Sequence, residues 1–242
     1  DDTIAAVATP FGEGAVAVVR VSGSAASSLL AEIFSSAAST TRDLEPRRQY
    51  LGKVVDPSSG DVVDEALVTF FPGPASYTGD DLVEIACHGG VHVTRRVLEA
   101  VLAAGARPAG PGEFTQRAFL NGKMDLTQAE AVMDLIRSRS DLALVSAQAQ
   151  LSGGLGRGME AMRQDLLGVL AHLEAYIDFP EEGIDPQTGV SMVARMAAAR
   201  DEIARLLGTA ERGRILRDGV ATVICGAPNV GKSSLLNALS GR

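Results

Sequence analysis

The 242-residue sequence has few cysteines and no long apolar run. Its two cysteines, Cys87 and Cys225, lie far apart and without the spacing of a metal site, so we expect a reduced, cytosolic protein. No stretch reaches the roughly 18 apolar residues that a membrane-spanning helix requires. Residues 1–30 also lack the positively charged start and apolar run of a secretory signal. These absences predict a cytoplasmic protein with no membrane segment.

Basic residues are fewer than acidic ones, 22 against 30, which gives a formal net charge of −8. A chain this acidic does not coat nucleic acid through bulk charge, so any contact with RNA requires a local basic patch or a partner protein. Hydrophobic residues make up 46% of the chain and charged residues 21%, as in ordinary globular proteins. The length suits one large domain or two modest ones.

Lysine is scarce even among the basic residues. Only three of the 22 are lysines, namely Lys53, Lys123 and Lys232. In so lysine-poor a chain, a lysine is expected where a compact ammonium is needed and a guanidinium does not fit. This marks Lys123 as a candidate binding residue, with an ordinary solvent-exposed lysine as an equal alternative.

Residues 1–120 are predicted to form an α+β domain with a mixed or antiparallel sheet. Its strands are recognised by apolar β-branched runs between turn residues, and its helices by apolar residues at helical spacing. The predicted strands cover residues 15–21, 51–55, 62–71 and 81–86, and the predicted helices cover residues 24–34 and 90–104. The turn residues at 56–61 predict a hairpin between the second and third strands.

Residues 121–216 are predicted to form an all-α helical domain. Alanine, leucine, glutamine and methionine recur at helical spacing from residue 127 to residue 177, and a second helical run covers 191–207. Thr127 and Glu130 have the spacing of a capping box, which predicts the start of the first helix at Thr127. We assign most of the apolar residues of this domain to its core.

The run from Gly226 to Ser233 fits G-x-x-x-x-G-K-S/T, the phosphate-binding loop of nucleotide triphosphatases. Residues 221–225 before it predict a short buried strand, and residues 233–239 after it predict a helix, which is the context this loop requires. Lys232 is expected to reach the β and γ phosphates of a nucleotide, and the Ser233 hydroxyl to hold Mg²⁺. Residues 217–242 therefore predict the start of a P-loop α/β domain, incomplete in this sequence.

Polar residues cluster at three places in the first half of the chain. Arg20 is the one charge in an apolar strand, and Glu84 points to the opposite face from its strand neighbours. A carboxylate there can accept two parallel N–H bonds from a flat, amino-bearing heterocycle. Residues 111–126 are dense in charges, glycines and aromatics at a domain junction, where ligand sites often lie.

Each cluster also has a structural alternative. Arg20 suits a surface-facing strand position, and Glu84 suits a solvated one. The third cluster suits a salt-bridge network formed by Glu113, Arg117, Lys123 and Asp125.

These clusters and the phosphate loop, taken in order, resemble the MnmE (TrmE) family of tRNA-modification GTPases over the whole chain. The resemblance is carried by short motifs in register, none of which is specific alone. They include GEGA at 12–15, RVSG at 20–23, SYTG at 76–79, HGG at 88–90, PGEFT at 111–115, RAFLNGK at 117–123, DLTQAEA at 125–131 and DFPEE at 178–182.

The resemblance implies an N-terminal tetrahydrofolate-binding domain, like that of the glycine-cleavage aminomethyltransferase, which binds 5-formyl-tetrahydrofolate and forms a homodimer. A helical domain follows, with a GTPase domain inserted into it. The family works with a flavin-dependent partner, MnmG, to attach an aminomethyl or carboxymethylaminomethyl group to C5 of the wobble uridine of certain tRNAs. Matching positions assign folate binding to Arg20, Glu84 and Lys123.

The resemblance also assigns the GTP phosphates to the residues Asn229, Val230, Gly231, Lys232, Ser233 and Ser234. Asn229 matches an asparagine that coordinates K⁺ in this family, where the ion replaces an arginine finger. Ser233 matches the Mg²⁺ ligand. The switch regions, the guanine-specificity motif and the C-terminal cysteine motif of the family do not follow the loop in this sequence. The catalytic residues are therefore unknown, and we expect this chain alone not to hydrolyse GTP.

Two other functions stay open. One is a folate-dependent one-carbon transferase in which the phosphate loop plays no part. The other is a GTPase switch in ribosome assembly, because the same phosphate loop occurs in that group of proteins.

Overall fold

The computed structural model describes residues 2–36, 44–179 and 187–241. The chain divides into two compact units, Asp1–Ala129 and Glu130–Arg242. Among the helices of the described ranges, none is both long enough and apolar enough to cross a membrane. The domain boundaries predicted at residues 120 and 216 stay predictions.

The first unit is built on one mixed sheet. Its strands are β1 (Ile4–Val7), β2 (Val16–Ser22), β3 (Phe34–Ser35), β4 (Gln49–Val55), β5 (Val62–Phe71), β6 (Leu82–His88) and β7 (Arg107–Pro108). They lie in the order β3-β4-β5-β6-β2-β1-β7, and every neighbouring pair is antiparallel except β1 with β7. The predicted α+β organisation and the predicted hairpin of β4 and β5 are confirmed.

Two helices, α1 (Ala26–Ile33) and α2 (Val91–Ala103), share one hydrophobic core with the sheet. On β2 and β6, Val19, Val83 and Ile85 are completely buried in this core. Because successive side chains on a strand point to opposite faces, the residues between them lie on the second face of the sheet. A third helix, α3 (Glu113–Leu120), follows β7.

The first helix ends one residue earlier than the sequence predicts. Phe34 was expected to close this helix, but it begins β3 and pairs with Val54 on β4. The aromatic side chain is 3% exposed in the sheet position. Burial against the sheet therefore outweighs the helical spacing at this residue.

The second unit is helical. Its helices are α4 (Leu126–Arg137), which begins in the first unit, α5 (Asp141–Leu151), α6 (Gly154–Asp178), α7 (Gln187–Asp218) and α8 (Lys232–Leu239). The helical run predicted over residues 127–177 is thus divided into three helices. Ser140 caps α5 by accepting the Ala143 N–H at 3.2 Å, and Gly153 adopts a φ of 76° immediately before α6.

The predicted capping box at Thr127 and Glu130 is wrong by two residues. The Asp125 carboxylate accepts the Gln128 N–H at 2.8 Å, and the Gln128 side-chain oxygen accepts the Asp125 N–H at 2.9 Å. Because α4 begins at Leu126, its first free N–H groups lie within reach of Asp125. The pair Asp125 and Gln128 therefore forms the reciprocal cap.

The strand predicted over residues 221–225 is also wrong. This segment has no strand partner, and Val223 is 82% exposed. A strand persists only where its backbone pairs with a neighbour, and the described residues of the second unit contain no other strand. The helix predicted over residues 233–239 is confirmed as α8.

Candidate functional site

A charged pair lies on the second face of the sheet, away from the hydrophobic core. Arg20 on β2 stands directly opposite Glu84 on β6. The next positions along the same row are Ala6 on β1 and Thr69 on β5. The strand register therefore brings together two residues that are separated by 64 positions in the sequence.

The pair uses only part of its hydrogen-bonding capacity. Arg20 donates from Nε at 3.0 Å and from Nη2 at 2.6 Å, and both bonds go to Oε1 of Glu84. The two side chains are 26% and 31% exposed, so the pair is half-buried and still open to a ligand. Within the described residues, neither Oε2 of Glu84 nor Nη1 of Arg20 has a hydrogen-bond partner. A carboxylate oxygen and a guanidinium donor are left side by side.

Two aromatic rings contact the Arg20 guanidinium. Its central carbon lies 5.3 Å from the centre of the Tyr77 ring and 5.8 Å from that of Phe114, distances typical of cation–π contacts. The Tyr77 hydroxyl and the Thr115 hydroxyl are 2.9 Å apart and share a hydrogen bond. The loop after β5 and helix α3 thus both contribute to the surroundings of the pair.

Sequence reasoning did not assign a role to Tyr77, Phe114 or Thr115. All three lie inside the polar clusters that the sequence marked, at 76–90 and 111–126. Two aromatic residues within clusters of charges and glycines are the signal that could have identified them.

The structure places Lys123 against the loop between β5 and β6. Its Nζ donates to the carbonyl of Pro74 at 2.8 Å. Asn121 donates to the carbonyl of Thr78 at 2.8 Å, and the buried Thr78 and Ser22 hydroxyls are 2.6 Å apart. Lys123 therefore contacts the loop that carries Tyr77, and among the described contacts it bonds neither Arg20 nor Glu84. Its assignment as a folate ligand stays a prediction.

A salt-bridge network holds α3 to the edge of the sheet. Arg107 contacts Asp2 and Glu113, and its Nη2 lies 2.5 Å from the Glu113 carboxylate. Arg117 contacts the same two carboxylates at 2.9 and 3.2 Å. The network alternative for the third cluster is thus confirmed for Glu113 and Arg117, whereas Lys123 is in none of the ion pairs between described residues.

The network also shifts the pKa values of three of its members. Hydrogen bonds from Arg107 lower the pKa of Glu113 and that of Asp2 to about 2 each. The same two carboxylates raise the pKa of Arg107, Glu113 more than Asp2. These three groups are therefore charged at neutral pH, and the network fixes the helix that presents Phe114 to Arg20.

The phosphate loop precedes α8 directly. Gly231 has a φ of 87° and Asn229 a φ of 60°, both in the left-handed region, and α8 begins at Lys232. The Lys232 ammonium donates to the carbonyls of Gly226 at 3.1 Å and Ala227 at 2.6 Å. The first N–H groups of a helix have no partner within it, so this terminus suits an anionic group.

The predicted nucleotide residues lie together on this loop and on the first turn of α8. Asn229 and Val230 lie in the loop, Gly231 caps the helix, and Lys232, Ser233 and Ser234 start it. A backbone with two left-handed residues before a helix fits the close approach of phosphate groups. Which of these residues contacts a nucleotide or an ion stays a prediction.

Comparison with known families finds two matches along the chain. Residues 3–123 match the family described as the GTP-binding protein TrmE N-terminus, and residues 126–235 match the MnmE helical domain. The two matches together cover the mixed sheet with its helices, α4 to α7 and the phosphate loop.

Curated proteins similar to this chain include several with the same name. A tRNA modification GTPase MnmE from Akkermansia muciniphila is 54% identical over 99% of this chain and 53% of its own length. Proteins of the same name from Geobacter sulfurreducens and Lactobacillus acidophilus are 51% and 47% identical over 99% of the chain, and 52% and 51% of their own lengths. The chain thus spans about half the length of the curated relatives it matches.

Proposed function

The chain belongs to the MnmE (TrmE) family, and from this premise we propose that it is part of the GTP-hydrolysing component of a tRNA-modifying system. In this proposal the system attaches an aminomethyl or carboxymethylaminomethyl group to C5 of the wobble uridine. The observation that carries the proposal is the order of the two family matches, the second of which includes a phosphate loop with left-handed residues before a helix. In this proposal one chain carries both the Arg20–Glu84 site and a nucleotide-binding loop.

The N-terminal unit binds 5-formyl-tetrahydrofolate in this proposal, and the fold of this unit is of the tetrahydrofolate-binding type. The free Oε2 of Glu84 suits the amino edge of a pterin ring, and the free Nη1 of Arg20 suits a carbonyl or an anionic group beside it. Tyr77 and Phe114 supply aromatic surface next to both groups. The bound folate supplies the one-carbon unit, and the residues of this chain bind and orient it.

Lys123 has a second role in the same site. One of the three N–H donors of its ammonium is directed to the Pro74 carbonyl, which leaves two for an anionic or polar part of the folate. The same bond holds the loop that carries Tyr77. Lys123 would therefore bind the ligand and keep the aromatic ring in place.

The phosphate loop binds GTP in this proposal. Lys232 exchanges its two loop carbonyls for the β and γ phosphates, and the Ser233 hydroxyl holds Mg²⁺. Asn229 would hold K⁺, which would supply positive charge beside the phosphates. Val230, Gly231 and Ser234 offer backbone or hydroxyl groups to the phosphates.

We further propose the assembly in which this chemistry takes place. The protein forms a homodimer through its N-terminal unit and works with a flavin-dependent partner, MnmG, on tRNA in the cytoplasm. The names of the curated relatives support the tRNA part of this proposal, since they refer to tRNA modification.

The decisive experiment measures wobble-uridine modification in cells. The full-length gene is deleted and then replaced by the wild type, by Glu84→Ala or by Lys232→Ala, and tRNA nucleosides are quantified by mass spectrometry. We expect the modified nucleoside to disappear on deletion, to return with the wild type and to stay absent with either variant. Unchanged modification after deletion contradicts the proposal and favours a role in ribosome assembly.

A second experiment separates GTP hydrolysis from folate chemistry. GTP turnover of the full-length protein is measured in K⁺ and in Na⁺ at equal ionic strength, with Asn229→Ala beside the wild type. We expect faster turnover in K⁺ and no preference in the variant. Folate binding without any GTP turnover would favour a one-carbon transferase instead.

A further inference from the structure

Two adjoining cavities in the helical unit form one groove, which we name the arginine groove. It lies between the turn that joins α4 to α5, residues 138–140, and the last turns of α7, residues 210–219. The cavities have volumes of about 550 and 850 Å³ and share four lining residues. These are Arg137, Ser138, Leu216 and Arg217.

Among the lining residues whose side chains the structure describes, four are arginines and one is a carboxylate. Arg137, Arg139 and Arg214 line it together with Arg217 and Asp134. Arg217 lies 2.8 Å from the Asp134 carboxylate, so the one negative charge among the described lining residues is already paired. The described lining therefore carries a positive excess in a chain whose formal net charge is −8.

The unpaired arginines of the described structure meet in this groove. Among the arginines whose side chains the structure describes, Arg137, Arg139 and Arg214 alone contact neither a carboxylate nor a backbone carbonyl. Each of the other arginines contacts at least one carboxylate or backbone carbonyl. Even exposed arginines elsewhere in the helical unit, such as Arg163 and Arg205, pair with a glutamate three residues away.

This distribution differs from that of an ordinary solvated surface. Guanidinium groups that share a groove without counter-charges repel one another, and each offers five N–H donors. A ligand with several negative oxygens along its length would satisfy them, because guanidinium groups match phosphate oxygens in a bidentate geometry. The two joined cavities favour an extended ligand over a single anion.

We propose that the arginine groove binds the phosphodiester backbone of RNA. The inference rests on the proposed role in tRNA modification and identifies where this acidic chain contacts its substrate. Arg137, Arg139 and Arg214 contact phosphates without reading bases, so they contribute affinity and orientation but no sequence preference. Arg217 stays paired with Asp134 and shapes one wall of the groove.

The test measures binding of a tRNA transcript to the full-length protein over a series of salt concentrations. The variant carries Arg137→Gln, Arg139→Gln and Arg214→Gln together. We expect it to bind at least about 10-fold more weakly, and the slope of log affinity against log salt to fall by roughly 2 to 3, about 0.9 for each phosphate that is no longer neutralised. A wild type that does not bind tRNA, or a variant with an unchanged slope, overturns the proposal.

The matched control carries Arg163→Gln, Arg200→Gln and Arg205→Gln in the same unit. It removes the same charge from paired arginines outside the groove, so we expect near wild-type binding. Equal losses in both triple variants would overturn the proposal. A third variant carries lysine at all three groove positions and checks folding. Because the positive charge is kept, it should keep most of the tRNA affinity. A loss of affinity as large as that of the glutamine variant would contradict a charge-based contact.

Two further measurements identify the ligand and separate this proposal from the previous one. Inorganic phosphate is added to the wild-type complex, with chloride at the same ionic strength as reference. Displacement of tRNA by phosphate alone would mean that the groove holds one phosphate group, and would overturn the backbone contact. If the groove variant binds tRNA as the wild type does and supports normal wobble-uridine modification in cells, the groove proposal is refuted and the proposed function is not. If modification persists after deletion of the gene, the proposed function is refuted.

Discussion

The N-terminal unit and the helical unit are organised in opposite ways. The sheet of the first unit directs Val19, Ile85 and their neighbours into a core with two helices, where they are completely buried. In the helical unit, large apolar side chains such as Ile177 and Leu207 are 73% and 69% exposed, so the prediction that most apolar residues of this domain lie in its core is wrong for its described part. The few buried apolar residues of its described part are Ala131, Ala147, Val169, Met192 and Ala199.

The ion pairs of the two units also differ in how far apart their partners lie in the sequence. In the first unit Asp2 meets Arg107 and Arg20 meets Glu84, so ion pairs join distant parts of the sequence. In the helical unit Arg163 and Arg205 each pair with a glutamate one helical turn away. The first unit is thus stabilised by its own tertiary contacts, and the helical unit more by local ones. We infer that the helical unit gains further stability where its exposed apolar side chains are covered.

The largest expected difference between the units concerns matched isoleucines. Ile85→Ala removes a fully buried side chain and should destabilise the first unit by about 2–5 kcal/mol. Ile177→Ala removes a 73% exposed one and should change stability by no more than about 0.5 kcal/mol. Hydrogen exchange with mass spectrometry reports on each unit separately. Equal losses of stability in the two variants would contradict the difference in burial between the two units. A larger loss for Ile177→Ala in the full-length protein than in this chain would show that this surface is covered there.

The next effect tests whether the first unit contains a working site. Titration of this chain with 5-formyl-tetrahydrofolate in a calorimeter should show saturable binding. Glu84→Gln should weaken it by about 1.5–3 kcal/mol, or roughly 10- to 150-fold, because a charged acceptor is removed. Glu65→Gln is the control, since it removes the same charge from the same face of the sheet, where it stands opposite Lys53. Equal binding by both variants would exclude Glu84 from the site.

A smaller effect concerns the start of α4, where the two units meet in the sequence. Asp125→Ala removes the residue that accepts the Gln128 N–H and should cost about 1 kcal/mol of stability. Thr127→Ala, one residue inside the helix, should cost less. Thermal unfolding followed by circular dichroism measures both. A larger cost for Thr127→Ala would restore the cap that the sequence predicted.

The smallest effect is the pH dependence of the first unit. The pKa of Glu113 falls from its ordinary 4.5 to about 2, so its network stabilises the fold above about pH 4.5 and loses this effect as the pH falls toward 2. Arg107→Gln should therefore flatten the decline of stability over this window. Arg205→Gln, which breaks an exposed local pair in the helical unit, should leave the pH profile of the first unit unchanged. A decline that persists in Arg107→Gln would contradict the assignment.

Much of the fold could be predicted because its signals are local. Apolar β-branched runs between turn residues predicted β2 and β6, turn residues predicted the hairpin of β4 and β5, and helical spacing predicted α2. The cap at Asp125 was missed because aspartate, serine and threonine all cap helices, and only the position of the first turn selects among them. The strand at 221–225 was predicted from composition alone, which does not supply a pairing partner.

The candidate site was predictable only in part. Composition and motifs marked Arg20, Glu84 and Lys123, but not that Arg20 and Glu84 bond each other while Lys123 bonds a loop. Tyr77 and Phe114 were missed because their contact with Arg20 depends on the loop after β5 and on α3. These contacts are non-local, and no spacing within the chain encodes them.

The order of sheet, helices and phosphate loop could be predicted from the sequence, because each of them depends on residues that are close along the chain. Which side chains share a site depends on the folded arrangement. The register of β2 against β6 sets Arg20 opposite Glu84, and a shift of one residue would move them to opposite faces. The packing of α7 beside α4 and α5 likewise gathers the arginines of the groove from residues 137 to 217. Such registers arise from burial and pairing across the whole fold, which a local pattern does not contain.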